Sequence, residues 1–209
     1  ERFIQPFYKI APFKSGKVIH PYMEERGFDE DDVEYFMLGW DANENRITIP
    51  VFWDSGELCG VIGRTTSKTV QPKYKIYEFP QSKIIYPFNH FTPIDKSAII
   101  VEGTLDAMWL HKLGFRNAVS IINASVSHAQ ISLLQKAGVE HIILALDNDT
   151  AGENGCAKFY EKSKREFRTF KRLVYPKGKK DVQDMSLDEI KTAMKNLVSY
   201  PYMNIKRID

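Results

Sequence analysis

The sequence predicts an α/β protein in two parts: an α+β segment built around an antiparallel sheet, then a parallel sheet flanked by helices. Three observations predict it. Residues 1–93 contain strand patterns joined by a tight turn at Asp54-Ser55-Gly56-Glu57, the mark of a hairpin. Near Thr92-Pro93 the rhythm changes, and short apolar runs begin to alternate with amphipathic helical segments. Within that second part, capping side chains open the helical segments and glycines close them. The predicted organisation is an α+β segment over 1–93, an α/β domain over 94–185 and a helical segment over 186–209.

The elements follow in order. Residues 1–18 are mixed and basic, an arm or an incomplete first element. Pro21 to Gly27 reads as a short helix closed by its glycine, and Asp29 caps a second helix from Glu30 to Phe36 that Gly39 stops. Arg46–Trp53 and Leu58–Ile62 form the hairpin, and Lys75–Tyr77 and Ile84–Tyr86 offer further strands. The second part predicts strands at Ala98–Val101, Ala118–Ile122, His141–Leu146 and Phe170–Tyr175. Between them lie helices over Thr104–Leu113, His128–Ala137 (capped by Ser127) and about Ala151–Phe167. Ser186 and Glu189 have capping-box spacing before one more helix.

Composition narrows the class. Of 209 residues, 43% are hydrophobic and 27% charged, ordinary for a globular chain, and no run is apolar enough to span a bilayer. The opening Glu1-Arg2-Phe3 has neither an initiator Met nor a signal-peptide pattern, so the chain is expected to be a segment of a longer cytoplasmic protein. Two cysteines, Cys59 and Cys156, are too few for a zinc site and are expected to be reduced. Net charge is only +2, but Lys158, Lys162, Lys164, Arg165, Arg168, Lys171, Arg172, Lys177, Lys179 and Lys180 face only Glu161 and Glu166. That run reads either as a solvated helix face or as a phosphate-binding surface.

Three groups of carboxylates fall at the carboxyl ends of predicted strands, where open parallel sheets bind ligands. Glu102 follows Ile99-Ile100-Val101, Asp147 and Asp149 follow Ile142–Leu146, and Asp181 with Asp184 lies beyond the last strand. At ~5 Å and an effective dielectric of ~20, each pair of such charges repels by about 3 kcal/mol, so their collection calls for a cation. Hard oxygen donors select Mg²⁺ or Mn²⁺. Taken singly, Asp149 also reads as the N-cap of the helix at Ala151.

At these residues the chain resembles a known family. Val101-Glu102-Gly103-Thr104-Leu105-Asp106-Ala107 is similar to the glutamate motif of the Toprim domain, and Leu146-Asp147-Asn148-Asp149-Thr150-Ala151-Gly152 to its paired-aspartate motif. Toprim is shared by DnaG-type primases, topoisomerases and small nucleases, so the preceding residues must choose. Tyr22 to Phe28, Phe36 to Trp40, Ile49 to Phe52, Gly60 to Arg64, Pro72-Lys73-Tyr74 and Ile85 to Asn89 resemble the DnaG-type primase core in order. Gly178 to Met185 resembles that family's Lys-Asp acidic motif in a form associated with phage primases. The chain departs from the family at Gln183, where bacterial primases often carry a second aspartate, and at Lys75-Ile76, where an asparagine is usual. No zinc-binding module or helicase-binding region is visible.

The resemblance implies a Toprim domain preceded by a smaller α+β subdomain, and a DNA primase that joins ribonucleoside triphosphates on a single-stranded DNA template. It implies Mg²⁺, with Mn²⁺ substituting, and a replicative helicase as partner through regions outside this sequence. Glu102 would be the catalytic carboxylate, Asp147 and Asp149 the main metal ligands, and Asp181 or Asp184 the completion of a second site. Asp106, a helical turn beyond Glu102, would orient it. Arg64, Lys73 and Tyr74 would hold triphosphate or template phosphates. Trp53, Tyr77 and Phe79 are candidates for base stacking or for packing, and His90, His111, His128 and His141 lack ligand spacing. The setting implied is the cytoplasm of a bacterial or phage-infected cell. The rival readings are a Toprim nuclease and a non-catalytic nucleic-acid-binding module.

Overall fold

The computed structural model describes residues 11–12, 19–77, 79–123 and 125–201. They fall into two compact units, Glu1–Pro80 and Gln81–Asp209. Most of the predicted N-terminal arm lies outside the described residues.

The first unit is an antiparallel sheet with two short helices. Its strands are β1 (Ala11–Pro12), β2 (Gly39–Asp41), β3 (Arg46–Phe52), β4 (Leu58–Thr65) and β5 (Tyr74–Tyr77), in the spatial order β1-β2-β3-β4-β5. The helices are α1 (Pro21–Glu24) and α2 (Glu30–Tyr35). Asp29 caps α2 in a full capping box with Asp32. The helix stops short of Gly39: Met37 takes a left-handed conformation and Gly39 opens β2. Ile47, Ile49, Val51, Val61 and Ile62 fill the core with Met23, Phe28 and Phe36.

Gly63 in β4 is required by close packing. A β-carbon there would lie 2.6 Å from the Tyr77 ring and 3.0 Å from the Arg46 side chain. Both neighbours are held, Tyr77 by donating to Asp41 at 2.5 Å and Arg46 by donating to the Pro72 carbonyl at 3.0 Å. Gly63→Ala is expected to cost about 1–3 kcal/mol through overpacking, lowering the thermal midpoint by roughly 2–12 °C in a melting scan.

The second unit carries β6 (Ser97–Val101), α3 (Thr104–Lys112), β7 (Ala118–Ser120), α4 (His128–Lys136), β8 (His141–Leu144), α5 (Thr150–Ser163), β9 (Thr169–Arg172), α6 (Leu187–Lys195) and β10 (Val198–Ser199). The strand order is β10-β9-β8-β6-β7, parallel except for β10, which runs antiparallel to β9. Ala98 and Ile100 pack with Ile131, Leu134, Cys156 and Phe159 of α4 and α5. Ile99 and Val101 are as deeply buried on the opposite face, so both sides of the sheet are covered. Cys59 and Cys156 are both free and buried.

Ile84–Tyr86 does not form a strand with the first unit. It belongs to the second, where Tyr86 exchanges two backbone hydrogen bonds with Ser120. Gln130 of α4, fully buried, donates to the carbonyls of Ile84 and Ile121 at 2.7 Å each. Residues 81–93 thus pack with the parallel sheet, and α6 belongs to the same unit. Strands β8 and β9 are shorter than predicted, ending at Leu144 and Arg172, and β7 ends before Ile122, which has a positive φ of 59°.

Candidate active site

Chain order and strand order together create the crevice. After β6 the chain crosses to β7 on one side; after β8 it crosses to β9 on the other. The carboxyl ends of the adjacent strands β6 and β8 therefore form a topological switch point, where connections diverge and a ligand has room. Glu102 leaves β6 there, and Asp147 and Asp149 leave β8. Register fixes their proximity, since Ile100 pairs with Leu144 and the Ala145 amide donates to Ile100 at 2.8 Å.

The Asp147-Asn148-Asp149 turn is held from three directions. Arg172, 1% exposed, donates to the carbonyls of Leu146 at 2.9 Å and Asp147 at 3.3 Å and pairs with Glu153 at 3.1 Å. Gly152 lets the first turn of α5 lie against the same loop, because a β-carbon would come within 2.0 Å of the Asp147 carbonyl oxygen. Asn148 clasps the neighbouring loop, its amide donating to Lys180 O at 2.7 Å and its side chain to Lys179 O at 3.0 Å. Asp149 serves twice: Oδ1 caps α5 by accepting from Gly152 at 2.9 Å, leaving Oδ2 for a cation.

That cation is Lys180, whose Nζ lies 3.4 Å from Asp147 Oδ2 and 3.8 Å from Asp149 Oδ2. Partial burial, reinforced by Asp147 and Asp149, pushes the Glu102 carboxyl above its ordinary range, and Lys180 pulls it back. Burial also raises Asp147, against Lys180. Among the described residues, no three acidic, histidine or cysteine side chains converge closely enough to enclose a metal ion.

The two aspartates of the Lys-Asp motif differ. Asp181 caps a short 3₁₀ turn over Val182–Asp184, accepting from Gln183 N at 2.9 Å, and its charge acts on Asp106, Asp147 and Lys180. Asp184 accepts from the Lys180 amide at 2.8 Å and is exposed.

Asp106 is buried, accepting from Gly103 N at 3.0 Å and Gln183 Nε2 at 2.6 Å. Burial above all, with Asp181 and Asp147 adding, pushes its pKa up to about 7 against the hydrogen bonds that lower it. Between the unfolded value near 4 and about 7, the folded state holds a proton that the unfolded chain has lost. Stability from this group therefore falls as pH rises through that window, by about 1.4 kcal/mol per unit. Asp106→Asn is accommodated by an amide flip of Gln183, and melting scans from pH 4.5 to 8 without divalent ions should show a flatter profile.

In the first unit, Arg64 is 8% exposed, donates to Tyr22 Oη at 2.9 Å and stacks over Tyr74 at 4.7 Å from the ring centre. Its Nη1 is buried without a hydrogen-bond partner among the described residues. Lys73 is exposed. Tyr77 is engaged with Asp41 and Phe79 is buried against Gly60, which favours packing over base stacking for both. His111 is buried against Ala118 O, and His141 meets Thr169.

The basic run is not one continuous surface. Arg172 is internal, Lys162 donates to Val126 O, Arg168 pairs with Glu140, and Lys180 turns onto the carboxylates. Lys158, Arg165, Lys171 and Lys177 remain exposed. Sequence reasoning missed Arg172, Asn148 and Lys180 as parts of the site. The strand period offered a signal for Arg172, which stands in phase with inward-facing Phe170.

Residues 99–186 match the Toprim-like family model. The chain is 26% identical over 197 residues to the DNA primase of Helicobacter pylori (strain ATCC 700392 / 26695), covering 86% of this chain and 34% of that protein. It is 33% identical over 131 residues to the DNA primase of Campylobacter jejuni, covering 59% and 21%. It thus spans about a third or less of these two relatives. The fold is also that of the RNA polymerase domain of Mycobacterium tuberculosis primase DnaG, solved in complex with double-stranded DNA: the TM-score is 0.75 at 17% identity, over 93% of this chain and 78% of that one. Among the described residues no helix is long and apolar enough to cross a membrane. Residues 99–186 match a Toprim-like domain, and the chain is similar in sequence to DNA primases and in fold to the DnaG catalytic core.

Proposed function

We propose that this chain synthesises short RNA primers, joining ribonucleoside triphosphates on single-stranded DNA by metal-assisted nucleotidyl transfer. The observation that carries the reading is the grip of Asp147 and Asp149 on one cation at the switch point, beside Glu102. Two carboxylates already converging on an ammonium fit Mg²⁺ or Mn²⁺, because Mg²⁺ characteristically takes one or two protein carboxylates and completes its shell with water and substrate phosphates. Such an ion, when bound, lowers the pKa of the attacking hydroxyl and neutralises charge on the triphosphate.

The chain's own residues supply the rest. Glu102, its carboxyl raised by burial and acidic neighbours, sits to hold the proton of the attacking 3′-hydroxyl. Asp181 is the better candidate than Asp184 for a further ligand, since its charge acts on Asp147 and both of its amide contacts fall on one oxygen, Oδ1. Asp106 ties the Glu102 loop to the Lys-Asp loop through Gln183. Arg64, with a buried unpartnered Nη1 and Tyr74 beneath it, is suited to phosphate, with Lys73 as a point charge. A replicative helicase would engage regions outside this chain.

The test is primer synthesis from ribonucleotides on single-stranded DNA with Mg²⁺ or Mn²⁺. Template-dependent RNA products are expected. Nicking of DNA without synthesis would instead make the protein a Toprim nuclease.

A further inference from the structure

Lys180 occupies a built position. Its carbonyl accepts from Asn148 N at 2.7 Å, its amide donates to Asp184 Oδ2 at 2.8 Å, and the preceding carbonyl accepts from Asn148 Nδ2 at 3.0 Å. These main-chain bonds fix the Lys180 backbone beside the Asp147-Asn148-Asp149 turn and leave its side chain to span both carboxylates. That side chain is 61% exposed, so the ammonium lies on the solvent side and can leave without disturbing the core. Without it, the carboxylates of Asp147, Asp149 and Glu102 would repel one another with no counter-charge between them.

We infer that Lys180 is a resident counter-ion: it holds the Asp147–Asp149 pair in a metal-ready arrangement, competes with the divalent ion for those oxygens, and is displaced when the ion enters. This rests on the reading of Asp147 and Asp149 as metal-holding carboxylates. Lys180 is thereby a positioning residue. It weakens metal binding to the nucleotide-free protein, and an incoming triphosphate offers the displaced ammonium a new anion. Metal retention then becomes coupled to nucleotide arrival.

The test is Mn²⁺ binding to the whole chain without nucleotide, followed by electron paramagnetic resonance and calorimetry. Lys180→Gln keeps the main-chain clasp and removes the charge; it should bind Mn²⁺ about tenfold more tightly, within the range of coupling between two linked ligands. Lys180→Arg should restore the weaker binding, and Asp147→Asn/Asp149→Asn should abolish it. Equal or weaker binding by Lys180→Gln, with the unsubstituted protein binding Mn²⁺ normally, overturns the competition and leaves the metal site standing. Failure of both proteins to bind Mn²⁺ overturns the metal site and this inference together.

Discussion

Replacing Asp147 and Asp149 together by asparagine should reduce primer synthesis by at least about 10³-fold while the protein stays folded. Removing one preorganised electrostatic contact to a developing charge typically costs ~10²–10³ in rate, and here both carboxylates that grip the cation are neutralised. Asparagine is chosen because Asp149 has a second task. Its Oδ1 caps α5 from Gly152 N, and asparagine caps a helix as well as aspartate does. Lys180, left without its partners, is mostly solvated and costs little. Primer yield on single-stranded DNA, measured beside a melting scan, separates the two effects. Retention of synthesis within tenfold would remove these residues from the chemistry.

Arg172→Ala should produce the largest loss of stability, about 3–5 kcal/mol, the range for removing one partner of a buried charged network. For a chain of this size that lowers the melting midpoint by roughly 6–20 °C. Three carbonyls, of Leu144, Leu146 and Asp147, lose a donor, and a fully buried volume empties. Arg172→Met refills most of the volume but returns no donor to the Leu146 and Asp147 carbonyls, while Leu144 keeps the Leu173 amide, so it should recover only part of the loss. Glu153→Gln should cost less, because the glutamine oxygen can still accept from Arg172 and the Glu153 side of the pair is 48% exposed. A drop confined to Arg172→Ala, with Arg172→Met near the unsubstituted protein, would show that the residue matters for bulk alone.

The second unit was the more legible in sequence because its strands are short, apolar and punctuated by caps that do what their chemistry suggests. Ser127, Ser186 and Asp149 all cap where expected. Carboxylates at strand ends could be placed from that pattern alone. Arg172 and Lys180 could not, because a basic residue in a basic run is assigned to solvent by default. The strand period that puts Arg172 in phase with Phe170 was outweighed by its charge, and only the loop clasp through Asn148 brings Lys180 over the aspartates. The different surroundings of Asp181 and Asp184 were likewise closed to the sequence: Asp181 caps a one-turn 3₁₀ segment and its charge acts on Asp147, whereas Asp184 accepts from the Lys180 amide. In the first unit, Gly39 misled, since Met37 absorbed the left-handed conformation expected to need glycine. Ile84–Tyr86 has strand composition, but its neighbours, α4 and β7, lie in the second unit, which no local pattern reveals.

The pairing of Tyr86 with Ser120 has a consequence for solubility. Strand β7 is the outermost of the parallel sheet on its side, and its free amides and carbonyls would template association with another molecule. Tyr86 takes up both backbone groups of Ser120, and Pro87 follows at once, a residue with no amide hydrogen to extend the ladder. Cutting the polypeptide at residue 93 would strip away this guard and leave a sticky border, whereas a cut before Gln81 keeps it sealed.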